Sequence, residues 1–299
     1  MDARGKVRDR RLEVEPFVDL IRRASTDVPA DVEAALREAQ AREEPGSPAA
    51  EALETILENV VLARANATPI CQDTGTPIFY VRHPQEISTR VLRAQIEAAV
   101  AEATQQAILR PNAVDPLTGR NSGNNLGVSF PTIHFEEWEG GHLRIDLLLK
   151  GGGSENVSVQ YKLPHPPLEA GRDLEGVRRV VLDGVYQAQG KGCAPGILGI
   201  AIGGDRGTGY VQAKRQIFRP LNDANPIGKL AALEERLLGE CNELGIGPMG
   251  FGGKTTVLGV KIGALHRLPA CYFVSIAYMC WACRRASMTV LRSGEATYE

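Results

Sequence analysis

Residues 110–125 read RPNAVDPLTGRNSGNN. Proline, glycine, asparagine and aspartate dominate, so the stretch reads as a long loop. Loops of that length inside compact domains are functional or disordered. The texture of the chain differs on its two sides. Upstream, SPAAEALETILENVVLARAN places Leu53, Ile56, Leu57, Val60 and Val61 on one helical face, with Ser47 and Pro48 as its start. ISTRVLRAQIEAAVAEATQQAIL reads as a second long amphipathic helix, and AREEPGSP at 41–48 as a connector. Downstream, HLRIDLLLK and NVSVQYKL read as two strands joined through GGGSE. A helix follows at EGVRRVVLDGVYQAQG, then a short buried strand at GILGIAIGG. PIGKLAALEERLLGECNELG is a helix stopped by Gly245. TTVLGVKIGAL and ACYFVSIAYMCWA are apolar and β-branched enough for core strands. Helices first and mixed elements afterwards predict an α+β fold rather than repeated βαβ units. The expected organisation is a helical N-terminal region, 1–110, followed by a mixed α/β region, 111–299, with mainly antiparallel strands, the two forming one compact subunit.

Composition narrows the function classes. Acidic and basic residues are mixed along the chain and the net charge is −2, which offers no basic face for nucleic acid. No apolar run approaches the roughly 18 residues of a membrane span. The opening MDARGKVRDRRLEVE is charged and lacks the apolar stretch of a secretory leader. A reducing cytoplasm is the expected compartment, and there disulfides are rare. The six cysteines, Cys71, Cys193, Cys241, Cys271, Cys280 and Cys283, are then core thiols, metal ligands or a catalytic thiol. Cys241, late in a helical pattern, and Cys271, in an apolar run, read as core packing.

Cys71, Cys193 and Cys280 differ from these. Each stands where regular structure meets a polar or glycine-rich segment, in TPICQDTGTP, QGKGCAPGILG and YMCWACRRAS. Three thiolates from distant segments suit an iron–sulfur cluster that leaves one iron without a protein ligand, whereas electron-transfer clusters take four. An open iron acts as a Lewis acid on a hydroxyl or carboxylate.

TPICQDTGTP, KGGGSEN, GKGCAPGILGIAIGGD, GIGPMGFGGKTT and YMCWACRRAS, in that order, resemble the alpha subunit of class I fumarate hydratase, a family that includes L-tartrate dehydratase. The resemblance covers about residues 15 to 290. It implies a [4Fe–4S] cluster held by Cys71, Cys193 and Cys280, with Arg284 as the arginine that follows the third cysteine. On that reading region 1–110 carries the first cluster cysteine and region 111–299 the other two. Many relatives have two prolines after the second cysteine, where this chain has Ala194 and Pro195. Cys283 completes a CxxC with Cys280 and is the alternative third ligand; otherwise it is a spare thiol.

The chemistry that the resemblance implies is reversible addition of water to fumarate, giving (S)-malate. A weakly acidic carbon proton must be moved by a base within hydrogen-bond reach, and fixed cations must hold the diacid in one pose. Asp73, two residues from Cys71, is the candidate for proton transfer; its other reading is a turn aspartate bonded to its own backbone. Arg110 matches a substrate-carboxylate contact, and Arg120 is a weaker candidate for the same task. In KGGGSEN, Gly152 and Gly153 offer main-chain N–H groups to an anion, with Ser154, Glu155 and Asn156 in support. His266 is the candidate for the family's active-site histidine, although its distance from Cys280 departs from the family spacing.

GIGPMGFGGKTT contains a GxGxxG and nearly spells a phosphate loop. A helix rather than a strand leads into it, and Pro248 stands where the first glycine of a phosphate loop is required. Its glycines are expected to let backbone approach the cluster or a neighbouring subunit, with Lys254 adding charge near an anion. The expected protein is the alpha subunit of a [4Fe–4S] hydro-lyase of the fumarate hydratase type. It acts on a C4-dicarboxylate and needs a separate beta subunit, for which 299 residues leave no room, in an α2β2 assembly or with an alpha homodimer. L-tartrate dehydratase or another diacid hydro-lyase is the alternative within the class. A non-enzymatic iron–sulfur electron-transfer protein and a zinc module are the alternatives outside it.

Overall fold

The computed structural model of the chain describes residues 13–299. The charged opening read as lacking a leader lies largely in residues 1–12, outside the described residues. Two compact units are interleaved in sequence. Among the described residues the first takes 13–28, Val60–Lys150 and Arg284–Glu299, and the second Pro29–Asn59 and Gly151–Cys283.

The first unit is built on a five-stranded sheet. Its strands are β1 (Thr76–His83), β2 (Thr132–Glu137), β3 (Leu143–Lys150), β8 (Arg285–Val290) and β9 (Ala296–Tyr298), in the order β2-β1-β3-β8-β9. β1 and β2 run parallel and the other pairs antiparallel. Helices α1 (Glu15–Thr26) and α4 (Thr89–Gln105) lie on this sheet. Phe17, Leu20, Ile21 and Ala24 of α1, and Leu92, Ile96, Ala99, Val100 and Ala103 of α4, share a core with alternate β3 residues Leu143, Ile145, Leu147 and Leu149. Those spacings, 3.6 on the helices and 2 on the strand, put one apolar face of each element inward.

The second unit carries a four-stranded sheet ordered β4-β7-β5-β6, from β4 (Val159–Lys162), β5 (Gly196–Ile202), β6 (Val257–Ala264) and β7 (Phe273–Met279). Only β5 and β6 pair in parallel. Helices α6 (Leu174–Ala188) and α8 (Gly228–Glu243) cover one face through Val177, Val181, Leu233 and Leu237, packed on Leu198 and Ile200 of β5. Helix α7 (Arg206–Gln216) covers the other face, where a Cβ on the intervening Gly199 would stand 2.1 Å from the Ala213 carbonyl oxygen. α2 (Ala30–Arg42), the start of α3 (Pro48–Asn66) and the short α5 (Gly152–Asn156) complete the unit.

The architecture is α+β, helical at the N-terminal side and mainly antiparallel in its strands. Several local readings change. β1 is a strand inside the stretch read as helical, and β8 and β9 extend the first sheet beyond the last predicted strand. GGGSE is not a strand connection: it forms the helical turn α5, and the strands on either side of it belong to different sheets. Val61 is exposed, whereas Leu53, Ile56, Leu57 and Val60 are buried. Cys241 is buried in the α8 core, and burial pushes its thiol up to about 12. Cys271 is only half-buried, in the turn before β7, because its N–H closes on Leu268 and the strand begins two residues later.

Candidate active site

In the first unit the site begins at the connection from α3 to β1. The chain leaves α3 through Thr68, whose N–H bonds the Ala63 carbonyl, and Ile70 is anchored to the Ser25 carbonyl. Cys71 follows, half-buried. Asp73 turns the chain: its carboxylate accepts the Gly75 N–H at 2.9 Å, the turn geometry that the sequence allowed for this residue. Gly75, at φ +81°, admits no side chain, since a Cβ would stand 2.8 Å from the Lys150 backbone.

Two residues that the sequence reading passed over bind the long loop to this turn. The Thr74 hydroxyl, fully buried, accepts the Arg110 N–H at 3.0 Å and the Asn112 amide at 3.1 Å. Asn125 accepts the Asn112 and Ala113 N–H groups at 2.6 and 3.1 Å, and donates to the Arg110 carbonyl at 2.7 Å and the Thr104 hydroxyl at 2.9 Å. The Arg110 guanidinium reaches the Gln72 carbonyl at 3.3 Å. Arg284, only 1% exposed, donates from Nη1 to the Asp73 carbonyl. The unit therefore brings Cys71, Asp73, Arg110 and Arg284 around one loop. Arg120 is exposed, further along the same long loop.

In the second unit Cys193 occupies the turn between α6 and β5, and Cys280 follows β7. The register pairs Ile197 with Met279, so the start of β5 and the end of β7 lie side by side. The Trp281 N–H bonds the Cys193 carbonyl at 3.2 Å, which puts the two cysteine-bearing segments in contact. Cys193 is held in the left-handed region, φ 55° and ψ 64°, at a cost of about 1 to 2 kcal/mol for a residue with a Cβ. Gly152 and Gly153 are exposed on the first turn of α5, which packs beside the turn leading to Cys193: a Cβ on Gly153 would lie 3.4 Å from the Lys191 carbonyl oxygen. Ser154 bonds the Gly151 carbonyl at 3.0 Å, and Glu155 pairs with Lys214 at 2.6 Å. Cys283 is fully buried. His266 is not brought to this edge. It is exposed beyond β6, where Ile202 pairs with Ala264, at the opposite end of the sheet and about 20 Å along β5 from Cys193 at the rise of a strand.

Tyr278 supplies a further feature. It is 2% exposed, and its hydroxyl has no hydrogen-bond partner among the described residues. Burial, followed by the negative potential of Cys280 and Cys193, pushes the phenol above its ordinary range, so it remains a donor. An orphaned donor beside two thiol-bearing segments fits a group rich in sulfur acceptors, and thiols are the donor type that iron–sulfur clusters take. Among the described residues no group of three or more His, Cys, Asp or Glu side chains is gathered into a metal-binding set. Cys71 belongs to the first unit, Cys193 and Cys280 to the second. Among the described residues no helix is long and apolar enough to cross a membrane.

Residues 14–289 match the family described as fumarate hydratase (Fumerase), and the chain belongs to that family. Three of its relatives carry two names between them. A Geobacillus stearothermophilus protein, provisionally named a class I fumarate hydratase, is 50% identical over 280 residues, 92% of this chain and 54% of that protein. The chain thus spans about half the length of this relative. A Methanocaldococcus jannaschii protein, provisionally named the alpha subunit of an L(+)-tartrate dehydratase, is 36% identical over 274 residues, 90% of this chain and 94% of that protein. The L(+)-tartrate dehydratase alpha subunit of Escherichia coli K12 is 32% identical over 251 residues, 82% of this chain and 79% of that one.

Proposed function

We propose that this chain is the alpha-type half of a [4Fe–4S] hydro-lyase that interconverts (S)-malate and fumarate, and that Cys71, Cys193 and Cys280 hold the cluster. The observation that carries the reading is the contact of the Cys193 and Cys280 segments beside an unpartnered buried phenol, in a chain of the fumarate hydratase family. The identity to the Geobacillus relative favours fumarate over other diacids.

When bound, the cluster supplies a Lewis-acidic iron that draws charge from the substrate's hydroxyl and carboxylate. The residues of the chain bind and orient. Arg110, whose main chain is fixed by Thr74 and Asn125, presents a guanidinium to a substrate carboxylate from beside the Cys71 loop. Arg284 holds the Asp73 carbonyl and so sets the course of the loop. Asp73 keeps one carboxylate oxygen on Gly75 and is the group proposed to move a proton. Gly152 and Gly153 line the Cys193 side with exposed main chain. His266, exposed beyond β6, is given no step in this proposal.

The remaining catalytic groups are proposed to come from a beta subunit in an α2β2 assembly, in the cytoplasm. The relatives named as alpha subunits support that division. A second reading, L(+)-tartrate dehydratase, is favoured by one observation: the Methanocaldococcus and Escherichia coli relatives carry that name.

Anaerobic purification followed by iron and sulfide analysis tests the proposal. The wild type should be brown and should dehydrate malate when the beta subunit is added. Serine at 71, 193 or 280 should abolish iron retention, and serine at 283 should leave it intact. Tartrate dehydration without malate dehydration would select the second reading. A colourless protein after anaerobic reconstitution, or a cluster that cycles reversibly between redox states with no dehydration of either diacid, would sink both.

A further inference from the structure

The glycine-rich stretch 245–256, GIGPMGFGGKTT, stands outside the machinery above. Its backbone encloses a negative charge as a phosphate loop does, but the charge is the protein's own. Glu43, the C-cap residue of α2, is 5% exposed. Its carboxylate accepts the Lys254 N–H at 2.9 and 3.0 Å through its two oxygens, and the Thr255 N–H at 2.9 Å. Gly253, at φ +122°, leaves room for it: a Cβ there would stand 2.7 Å from Glu43 Oε2 and 2.8 Å from the Ala49 Cβ. The anion seat is filled by a side chain far away in sequence.

The other side of the same stretch grips the turn that bears Cys193. The Met249 N–H donates to the Ala194 carbonyl at 2.8 Å, and the Gly196 N–H donates to the Thr256 carbonyl at 3.0 Å. A Cβ on Gly190 would lie 2.6 Å from the Met249 carbonyl oxygen, so the two backbones touch just before Cys193 as well. Asn242 gives the stretch a second anchor, accepting the Thr256 and Val257 N–H groups at 2.7 and 2.9 Å. Cys193 meanwhile keeps a left-handed conformation that a residue with a Cβ holds only when its surroundings dictate it.

We propose that Glu43 is a positioning residue: its carboxylate holds residues 247–256 in the shape that fixes the backbone of Cys193 and presents its thiol. Glu43 acts through the Lys254 and Thr255 N–H groups and the Met249–Ala194 bond, and no contact with the sulfur is invoked. The functional consequence rests on the reading of Cys193 as a cluster ligand, whereas the geometry stands without a cluster.

The test uses the full-length, cluster-free chain under reducing conditions. Iodoacetamide labelling rates are read at each cysteine by peptide mass spectrometry in the wild type, Glu43→Ala and Glu43→Gln. In Glu43→Ala, Cys193 should label about ten-fold faster, the change expected when charge-assisted hydrogen bonds no longer hold the closed loop. Cys241, deep in the α8 core, should stay protected, and Cys71 should keep its wild-type rate. Glu43→Gln retains an acceptor oxygen for the two N–H groups and should bring Cys193 back toward the wild-type rate. If the alanine variant fails to fold, Glu43→Asp, whose carboxylate falls one methylene short, should give the same selective rise. An unchanged Cys193 rate overturns the proposal. So does labelling of Cys241 in step with Cys193, because Glu43 would then serve global stability alone. Iron analysis decides the cluster reading separately, so the two failures are distinguishable.

Discussion

Tyr278 carries a hydroxyl that the folded chain leaves unsatisfied, and the cost can be measured. A buried donor without a partner is destabilising by about 1 to 3 kcal/mol. Tyr278→Phe removes the hydroxyl and keeps the ring in the core formed by α6, α8 and the four-stranded sheet. The cluster-free variant should therefore unfold at a higher temperature than the cluster-free wild type, with a gain of about 1 kcal/mol. A lower unfolding temperature would show that the hydroxyl has a partner after all. The sequence could not single this residue out, because a tyrosine in an apolar strand reads as core, and apart from one atom it is core. Cys71 is legible in the sequence for the opposite reason: a thiol followed by an amide, an acid, a hydroxyl and a glycine stands out against an apolar background. Thr74, Asn125 and Glu43 escaped notice because their roles exist only after folding. The Asn125 side chain bonds residues as distant as Thr104, and Glu43, in a segment read as a connector, caps main chain more than 200 positions away.

At the scale of elements, period and burial agree where one face of an element meets a core. α3 shows how narrow that face is. Leu53, Ile56, Leu57 and Val60 follow the i, i+3, i+4, i+7 pattern and are buried, while Val61, one step further round the helix, is 48% exposed. Leu53→Ala should destabilise by about 3 kcal/mol in urea unfolding, through lost transfer energy and a residual cavity. Val61→Ala should stay within about 0.5 kcal/mol of wild type. Equal effects would contradict the orientation of the helix. The elements that the sequence reading missed have separate causes. β1, TPIFYVRH, is a central strand buried on both faces, so it has no alternation to read, and proline and charged residues frame it. β8, RASMTV, alternates polar and apolar residues strictly, as a half-buried strand does, and pairs with β3; the sequence reading misses it because its first residues read as the end of the cysteine motif YMCWACRRAS. The helical turn α5 gave no periodic signal at all, because it is only five residues long.

For the whole molecule, tertiary ion pairs of the second unit set a stability that depends on pH. Lys261, on β6 and 3% exposed, donates to Asp223 at 2.5 Å and to the Leu221 and Asp223 carbonyls at 3.1 and 3.0 Å. Arg219 reaches the Asp223 carboxylate at 2.8 and 2.9 Å and Glu234 at 2.7 Å, and Glu234 in turn accepts the Ile262 N–H at 2.6 Å. The connection from α7 to α8 is thereby tied to the parallel edge strand. Burial alone would raise the Asp223 carboxyl, but hydrogen bonds from Arg219 and Lys261 and their positive charges hold it below its ordinary value. A carboxyl lowered in the folded state contributes stability that is complete above its unfolded value, near 3.9, and is lost as pH falls through the folded one. Glu175 adds a smaller, solvent-screened contribution of the same sign, its carboxyl lowered to about 2 chiefly by the hydrogen bond from Arg178. The unfolding temperature should therefore change little from these groups between about pH 7 and pH 5 and drop below about pH 4. Asp223→Asn leaves the Lys261 ammonium buried beside a neutral amide and should cost roughly 2 to 3 kcal/mol at neutral pH. That deficit should shrink as both proteins are acidified toward about pH 2.5, because the wild type then loses the same charge. A deficit that stays constant across the acid range would mean that Asp223 stabilises the fold by shape and neutral hydrogen bonding, and that the pairing with Lys261 contributes nothing that titrates.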